Sequence, residues 1–403
     1  MSKLKVGLIG YGFRGKDLLA NMLNHQNVEV IAVCDLCADK AQAAQKAVEE
    51  KTGKECPFFT DYNDVLSMKG LQAVIISSAW ETHTDMAVAA MKAGVATGLE
   101  VGGAYTYEDC IRLVRTYEET KTPFMFLENC CYGKPELTLT KMVREGFFGE
   151  IVHMSGAYGH DLREEIAFGK EKRHYRLRNY MLRNCENYPT HELGPIAKML
   201  NINRGNRMVS LVSVASKAIG LKKYVKEKKS DDADLIDADF KQGDIVITII
   251  TCANGETIML KLDTTLPRTY SRELNIRGEK GQYIDQLKAI YREEVCKDSA
   301  DYSEFAWNFK NYEKEYQPKI WKNMTEEEIK AGHDGLDVLT LKAFFTAVEK
   351  HEEMPIDVYD AAAWMSVSYL SEESILHGGA AVTMPDFTRG KWLIREPKDV
   401  IEL

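Results

Sequence analysis

The chain reads as an α/β domain with a parallel sheet covered on both faces, followed by an α+β domain with an open, mostly antiparallel sheet. Three observations predict this. Over residues 1–130, near-continuous apolar runs alternate with helical stretches, as in strands buried on both sides. The segment Gly10-Tyr11-Gly12-Phe13-Arg14-Gly15 directly follows the first of those runs. After Gly149 the apolar residues begin to alternate with polar ones, as in strands with one wet face.

The predicted strands of the first domain are Lys5–Ile9, Val28–Cys34, Leu71–Ser77, Val95–Val101 and Phe124–Asn129. Predicted helices at Lys16–Asn24, Ala38–Lys51, Thr84–Ala93 and Tyr107–Glu119 separate them. Residues 1–130 are thus expected to be one domain. Residues 131–403 form the other, with C-terminal helices packing back on the first. There, Ile151–His160, Asp244–Cys252 and Glu256–Asp263 alternate, and Ala253-Asn254-Gly255 signals a hairpin between the last two. Pro189 suits the first turn of a helix expected over Thr190–Leu200. Two late helices are expected at Asp337–Lys350 and Tyr359–His377. Lys222–Asp234 is charge-rich without apolar periodicity and reads as a surface loop.

The glycine segment carries the first chemical signal. Gly10, Gly12 and Gly15 let a turn tighten and let a backbone approach a pyrophosphate, which the next helix meets with its positive end. Asp35 closes the second strand, where a carboxylate accepts both ribose hydroxyls and repels a 2′-phosphate. Strand, glycines, helix and acid together make a Rossmann fingerprint for NAD rather than NADP. Ligands of such sheets sit at the carboxyl ends of the strands. Those ends carry Gly10–Gly15, Asp35, Ser77–His83, Glu100-Val101 and Glu128-Asn129.

Composition narrows the classes. The 403 residues suit two domains, and 45% hydrophobic with 28% charged residues is ordinary for a globular protein. A net charge of −9 opposes electrostatic binding to nucleic acid. No apolar run reaches the roughly 18 residues of a membrane span. The first strand begins within four residues of the start, which leaves no room for a secretory signal and points to the cytoplasm. Nine cysteines, an odd number, are expected to be reduced; Cys34 and Cys37 have C-x-x-C spacing but no second pair for zinc. No metal set is expected.

Longer motifs are narrower still. Phe13-Arg14-Gly15, Trp80-Glu81-Thr82-His83, Glu128-Asn129-Cys130, the stretch Tyr188-Pro189-Thr190-His191-Glu192-Leu193-Gly194-Pro195, Pro267-Arg268-Thr269-Tyr270-Ser271-Arg272 and the tail Pro385-Asp386-Phe387-Thr388-Arg389-Gly390-Lys391-Trp392 run nearly the length of the chain. Together they resemble glycoside hydrolase family 109, within the Gfo/Idh/MocA oxidoreductase superfamily. The resemblance implies an NAD-dependent α-N-acetylgalactosaminidase with tightly held cofactor. It implies NAD contacts at Phe13, Arg14, Asp35, Trp80, His83, Glu100, Val101 and Asn129. It implies substrate-side roles for Glu128, Tyr158, Arg176, Tyr188, His191 and Tyr270; Arg173, Arg178 and Arg183 lie near Arg176 and compete for its place. Two features depart from the family pattern: an export signal is missing, and Gln242-Gly243-Asp244-Ile245 replaces a cysteine-led form. The superfamily's sugar dehydrogenases carry Glu-Lys-Pro where this chain has Glu100-Val101-Gly102, so the lysine that takes the hydroxyl proton is absent.

NAD in a glycosidase implies oxidation at C3, loss of the acidified C2 proton, elimination at C1, water addition and re-reduction. Such NAD-dependent hydrolysis stands outside the paired-carboxylate scheme. Tyr158 is the candidate C2 base. An unperturbed tyrosine titrates near 10, so it needs a cationic neighbour, Arg163 or Arg176; packing in a sheet is the plainer reading of the same residue. His191, in a helix's first turn, is disfavoured as a cation by the helix dipole and suits the C3 hydroxyl proton. Which of the two serves which proton stays open at this stage. Glu128 and Arg176 suit hydroxyl or acetamido groups, and Tyr270 suits a sugar face. His333, Asp334 and Asp337 form a polar cluster with no assigned chemistry. The expected partner is a small glycoside or the end of an oligosaccharide; the subunit number stays open, a homo-oligomer included. The rivals are a net sugar or cyclitol dehydrogenase and a non-catalytic cofactor or sugar sensor.

Overall fold

The computed structural model describes residues 3–294 and 305–403. They divide into two compact units. The first comprises the described residues of Met1–Gly133, Ile320–Ala362 and Asp399–Glu402, and the second those of Lys134–Lys319, Ala363–Lys398 and Leu403. The first unit therefore takes in a late stretch of chain, including the helix Leu336–Lys350.

In the first unit a parallel sheet runs β1 (Leu4–Ile9), β2 (Val28–Cys34), β3 (Phe58–Phe59), β4 (Ala73–Ile76), β5 (Ala96–Leu99) and β6 (Phe124–Phe126) in chain order. Its spatial order is β3-β2-β1-β4-β5-β6, with every described pairing parallel. The order reverses between β1 and β4, and sheets of this kind bind ligands at such a switch point. The apolar runs form strands because both faces are covered: Val74, Ile75 and Ile76 are wholly buried. The covering helices are Phe13–Asn24, Ala38–Thr52, Trp80–Lys92 and Tyr107–Thr120. The helix Leu336–Lys350 packs on the first of these and on the 3-10 turn Asn129–Tyr132.

The second unit is built on a mixed sheet. Its strands are β7 (Ile151–Gly159), β8 (Met208–Ala215), β9 (Ile245–Cys252), β10 (Thr257–Asp263), β11 (Asn275–Gly278), β12 (Gly281–Ile284), β13 (Ala289–Arg292) and β14 (Val382–Thr383). The order is β13-β12-β11-β7-β10-β9-β8-β14, and only β7 with β10 is parallel among the described pairs. The β9–β10 hairpin turns at Gly255, whose φ of 100° belongs to glycine. Alternation sets the faces: Val246, Thr248, Ile250 and Cys252 point inward along β9, while Ile247 and Ile249 face out. The helix Thr190–Met199 lies on the inner face against β7 and β10.

One expectation fails. Lys222–Asp234 is not a loop: helix Gly220–Lys228 and the helical turn Ala233–Ile236 occupy it. Leu221 and Val225, four residues apart, are buried and anchor the first helix while its lysines stay in water. Two apolar contacts suffice there, too few to register as periodicity. All eight cysteines among the described residues are free thiols; Cys296 lies outside the described residues. Among the described residues no helix is long and apolar enough to cross a membrane.

Gly156 in β7 sets how closely helix Thr190–Met199 approaches. A Cβ at this position would stand 2.7 Å from the Glu192 Cβ. Gly156→Val therefore pushes the helix off the strand and is expected to cost about 1–3 kcal/mol through overpacking. Urea or thermal unfolding checks this; a variant as stable as the parent would remove the close approach as a constraint.

Candidate active site

The glycine turn of the first unit uses its three glycines differently. A Cβ on Gly10, whose φ is 96°, would lie 2.6 Å from the Ser77 and Ser78 backbones. A Cβ on Gly15 would lie 2.1 Å from the Gly10 carbonyl oxygen, so this glycine seats the helix on the turn. A Cβ on Gly12 meets nothing within 4 Å, so the backbone there opens onto free space. Gly12 is also the N-cap of helix Phe13–Asn24, which carries no acid in its first turn and no side-chain cap. The first-turn N–H groups are left to an anion. Asp35 stands at the end of β2 and accepts from Tyr11 N (2.8 Å) and Cys37 N (2.9 Å). Its carboxylate thus holds the glycine turn, and each oxygen keeps lone-pair capacity for a hydroxyl.

Beside the turn, Arg14 bridges two carboxylates. Its Nε and Nη2 donate to Glu100 (3.0 and 2.6 Å), and its Nη1 and Nη2 donate to Asp337 (2.9 and 3.0 Å). His333 Nδ1 lies 2.8 Å from Arg14 Nη1 and 3.0 Å from Asp337 Oδ2. Asn129 Nδ2 donates to Asp337 Oδ1 at 2.8 Å. Burial alone would raise the Asp337 carboxyl; the hydrogen bonds and charges of His333 and Arg14 outweigh it and hold it well below the usual carboxylate range. The Asn129 Oδ1 is buried and has no hydrogen-bond partner among the described residues, an acceptor suited to an incoming amide N–H. These features fit a bound dinucleotide: an uncapped helix end, a glycine cradle, a ribose carboxylate and one orphaned acceptor.

The loop after β5 holds the place where the resemblance described above expects the lysine motif of a sugar dehydrogenase. Gly102 and Gly103 both have φ of 90°, and a Cβ on Gly102 would fall 2.2 Å from the indole nitrogen of buried Trp80. His83 braces the same loop, with Nδ1 3.1 Å from the Gly102 carbonyl and Nε2 3.0 Å from the Ser78 carbonyl. Burial pushes its ring toward the neutral form, against the pull of those carbonyls. Val101 is buried, and Phe13 is largely exposed at 73%. Glu128 is fully buried in the same unit, and its carboxylate accepts from Cys130 N at 3.0 Å.

The second unit gathers aromatic and basic groups at the end of β7. Tyr158 has ring-centroid distances of 4.5 Å to Tyr188, 5.5 Å to His191 and 6.4 Å to Tyr270. Tyr188 and His191 lie 4.7 Å apart, with hydroxyl and Nε2 at 3.5 Å. Pro189 caps helix Thr190–Met199, which puts His191 in the first turn. Pro195, inside that helix, lacks the N–H that would bond the His191 carbonyl. Gly159 and Ser271 exchange backbone hydrogen bonds of 3.0 and 2.9 Å, which brings Tyr270 alongside Tyr158. Arg268 braces this corner through Asp263 (2.6 Å) and Glu273 (3.1 Å).

The arginines separate cleanly. Arg176 is buried, its Cζ 5.1 Å from the Tyr188 ring centre and its Nε 2.8 Å from Glu165. Arg173 and Arg178 are exposed, and Arg183 pairs with Glu372 at 2.6 Å. Arg163 is held by Asp161 and lies over Tyr224, so of the two cations weighed for Tyr158 it is Arg176 whose charge acts on that ring. Two groups were missed by sequence reasoning. His160 Nδ1 lies 3.1 Å from the Tyr158 hydroxyl; sharing a strand face at i and i+2 was the available signal. Asp337, given no chemistry from sequence, lies in the first turn of helix Leu336–Lys350 and bonds Arg14; nothing local revealed that bond.

Residues 4–127 match the family model of an oxidoreductase family with an NAD-binding Rossmann fold, Gfo/Idh/MocA, and residues 132–394 match that of the glycosyl hydrolase 109 C-terminal domain. The first unit is an NAD-binding Rossmann domain. The chain is similar to an α-N-acetylgalactosaminidase of Tannerella forsythia, 37% identical over 98% of this chain and 88% of that protein. It is as similar, at 37% identity over 98% of this chain and 91% of the other, to a glycosyl hydrolase family 109 protein of Stenotrophomonas maltophilia. Among solved structures, levoglucosan dehydrogenase in complex with NADH and levoglucosan matches with a TM-score of 0.70 at 18% identity, covering 95% of this chain and 100% of that one. That likeness is one of fold.

Asp337→Ala removes one carboxylate from a buried, three-way charge arrangement. Losing one partner of a buried pair leaves the other uncompensated, and the first unit is expected to lose about 3 kcal/mol. Urea unfolding followed by tryptophan fluorescence checks it. An unchanged midpoint would mean that Glu100 alone satisfies Arg14.

Proposed function

The chain belongs to glycosyl hydrolase family 109, and from that premise we propose that it releases terminal α-linked N-acetylgalactosamine by an NAD-dependent elimination and hydration. It is a glycoside hydrolase with an NAD-binding domain. The observation that carries the finer reading is the grouping of Tyr158, Tyr188, His191 and Arg176 in one unit, in a chain whose Glu100-Val101-Gly102 loop has no lysine.

Gly10, Gly12 and Gly15, the first turn of helix Phe13–Asn24, Asp35 and Asn129 would hold NAD, with Phe13, Arg14, Trp80, His83, Glu100 and Val101 shaping its surroundings. Bound NAD supplies reversible hydride removal at sugar C3. His191 takes the C3 hydroxyl proton. The C2 hydrogen is then α to a ketone, and Tyr158 removes it. Arg176, fixed on Glu165 and over the Tyr188 ring, steadies negative charge near the phenol oxygens. Loss of the C1 substituent, addition of water with its hydroxyl at C1 and its proton to the departing group, return of the Tyr158 proton to C2, and return of the hydride and the His191 proton to C3 complete the turn. Tyr188 and Tyr270 offer ring faces to the sugar, and Glu128 accepts from its hydroxyls. The free thiols of the described cysteines support a reducing, cytoplasmic setting.

A net dehydrogenase is the second reading, favoured by the shared fold of levoglucosan dehydrogenase. One experiment separates them. Aryl α-N-acetylgalactosaminide is hydrolysed in D₂O by protein as purified, with no cofactor added. The expected outcome is NAD released on acid treatment of the protein and product sugar carrying deuterium at C2. Unlabelled product sinks the elimination route, and oxidised sugar with net cofactor reduction establishes the dehydrogenase.

A further inference from the structure

Tyr158 cannot act as a base while its hydroxyl keeps its own proton, and its arginine neighbour cannot take that proton. A guanidinium offers donors only. His191 is engaged with the C3 hydroxyl in the reading above. A further acceptor is in reach: Nδ1 of His160, 3.1 Å from the Tyr158 hydroxyl.

We propose that His160 is the proton relay behind Tyr158, taking the phenol proton on Nδ1 as the phenol oxygen removes hydrogen from C2, and handing it back when C2 is reprotonated. The inference rests on the C2 deprotonation proposed above. The bookkeeping closes without any further reagent. The C2–H bond breaks and its electron pair stays on the sugar as an enolate. A new O–H bond forms at Tyr158 as the old one breaks, and an N–H bond forms at His160, leaving an imidazolium opposite the enolate.

The surroundings of His160 suit this task. Its backbone N–H donates to the Asp263 carbonyl at 3.0 Å, which fixes the ring beside β10. Its ring meets Tyr270 edge-on at 5.2 Å. Burial first, and then the charge of Arg176, hold the imidazole below its ordinary 6.5, with a smaller contribution in that direction from His191; Glu165 and Asp161 pull the other way. A neutral ring has one nitrogen lone pair to offer, and Nδ1 is the one turned to the hydroxyl. Tyr158 is buried whereas His160 is half-buried, so the relay also connects the reacting proton to bulk water.

The sign of the pH effect follows. The ring must be neutral to accept, so turnover falls as pH drops through its titration and is full above it. The test compares the parent with His160→Gln and His160→Phe on an aryl α-N-acetylgalactosaminide in H₂O and D₂O, each variant first checked by circular dichroism and melting. The expected result for His160→Gln is a kcat lower by about 100-fold or more, a KM within a few-fold of the parent, an acid limb of the kcat profile displaced from the parent's because only His191 must then be neutral, and product retaining protium at C2. Wild-type kcat and an unchanged acid limb in a folded His160→Gln would overturn the relay while leaving C2 chemistry intact. Should both variants unfold, NMR of the parent with ¹⁵N-labelled histidine decides: a His160 titration that coincides with an acid limb of kcat supports the relay, and one that does not coincide with any limb overturns it. Parent turnover without C2 label would remove the elimination reading, and the relay with it.

Discussion

The cofactor end of the first unit turns on one guanidinium. Arg14 ties the glycine turn to Glu100, 86 residues on, and to Asp337, 323 residues on. Charges so placed lose much of their hydration, and the pair is tolerable only because the leftover valences are filled. Val101 N donates to the second Glu100 oxygen at 2.7 Å, and Asn129 donates to Asp337 at 2.8 Å. The consequence reaches the ligand. With its N–H groups turned to protein acceptors, the Arg14 side chain has little to give a pyrophosphate. What the turn offers instead is main-chain N–H at an uncapped helix start.

The second unit solves a different problem, which is to pack tyrosine and histidine rings together at strand and helix ends. Close approach does it. Gly156 admits the helix bearing His191, and the Gly159–Ser271 bridge admits Tyr270. Aromatic rings then fill the space, each contributing a polar edge to the site and an apolar body to the packing. Arg176 brings a buried positive charge beside Tyr188, and Glu165 balances it. The result is a group of tyrosine and histidine rings beside a buried guanidinium, the arrangement on which the proposed proton chemistry rests.

Much of this was readable in the chain. Buried parallel strands announced themselves as apolar runs, and the β9–β10 hairpin by its Ala253-Asn254-Gly255 turn. The glycine turn with Asp35 identified the NAD-binding unit because its parts are close in sequence and each has a separate steric duty. Tyr188 and His191 came with their helix, since Pro189 marks its start. What escaped was contact across sequence distance. Nothing near Asp337 signals a partner in the first turn of the chain's first helix. His160 lay in plain view two residues from Tyr158, but a histidine closing a strand looks like any polar edge residue until the hydroxyl is seen against it. The helix Gly220–Lys228 escaped because Leu221 and Val225 are too few to make a pattern.

The loop after β5 departs from the Glu-Lys-Pro form of the superfamily's sugar dehydrogenases in backbone as well as in side chain. The dehydrogenase motif puts proline where Gly102 stands. Proline is locked near a φ of −65°, whereas Gly102 is at 90° with the Trp80 indole where any Cβ would go. Writing lysine at Val101 would leave that loop shape in place, and writing proline at Gly102 would require the indole and the loop to move together. The two motifs are therefore two loop shapes, and no single side-chain change converts one into the other.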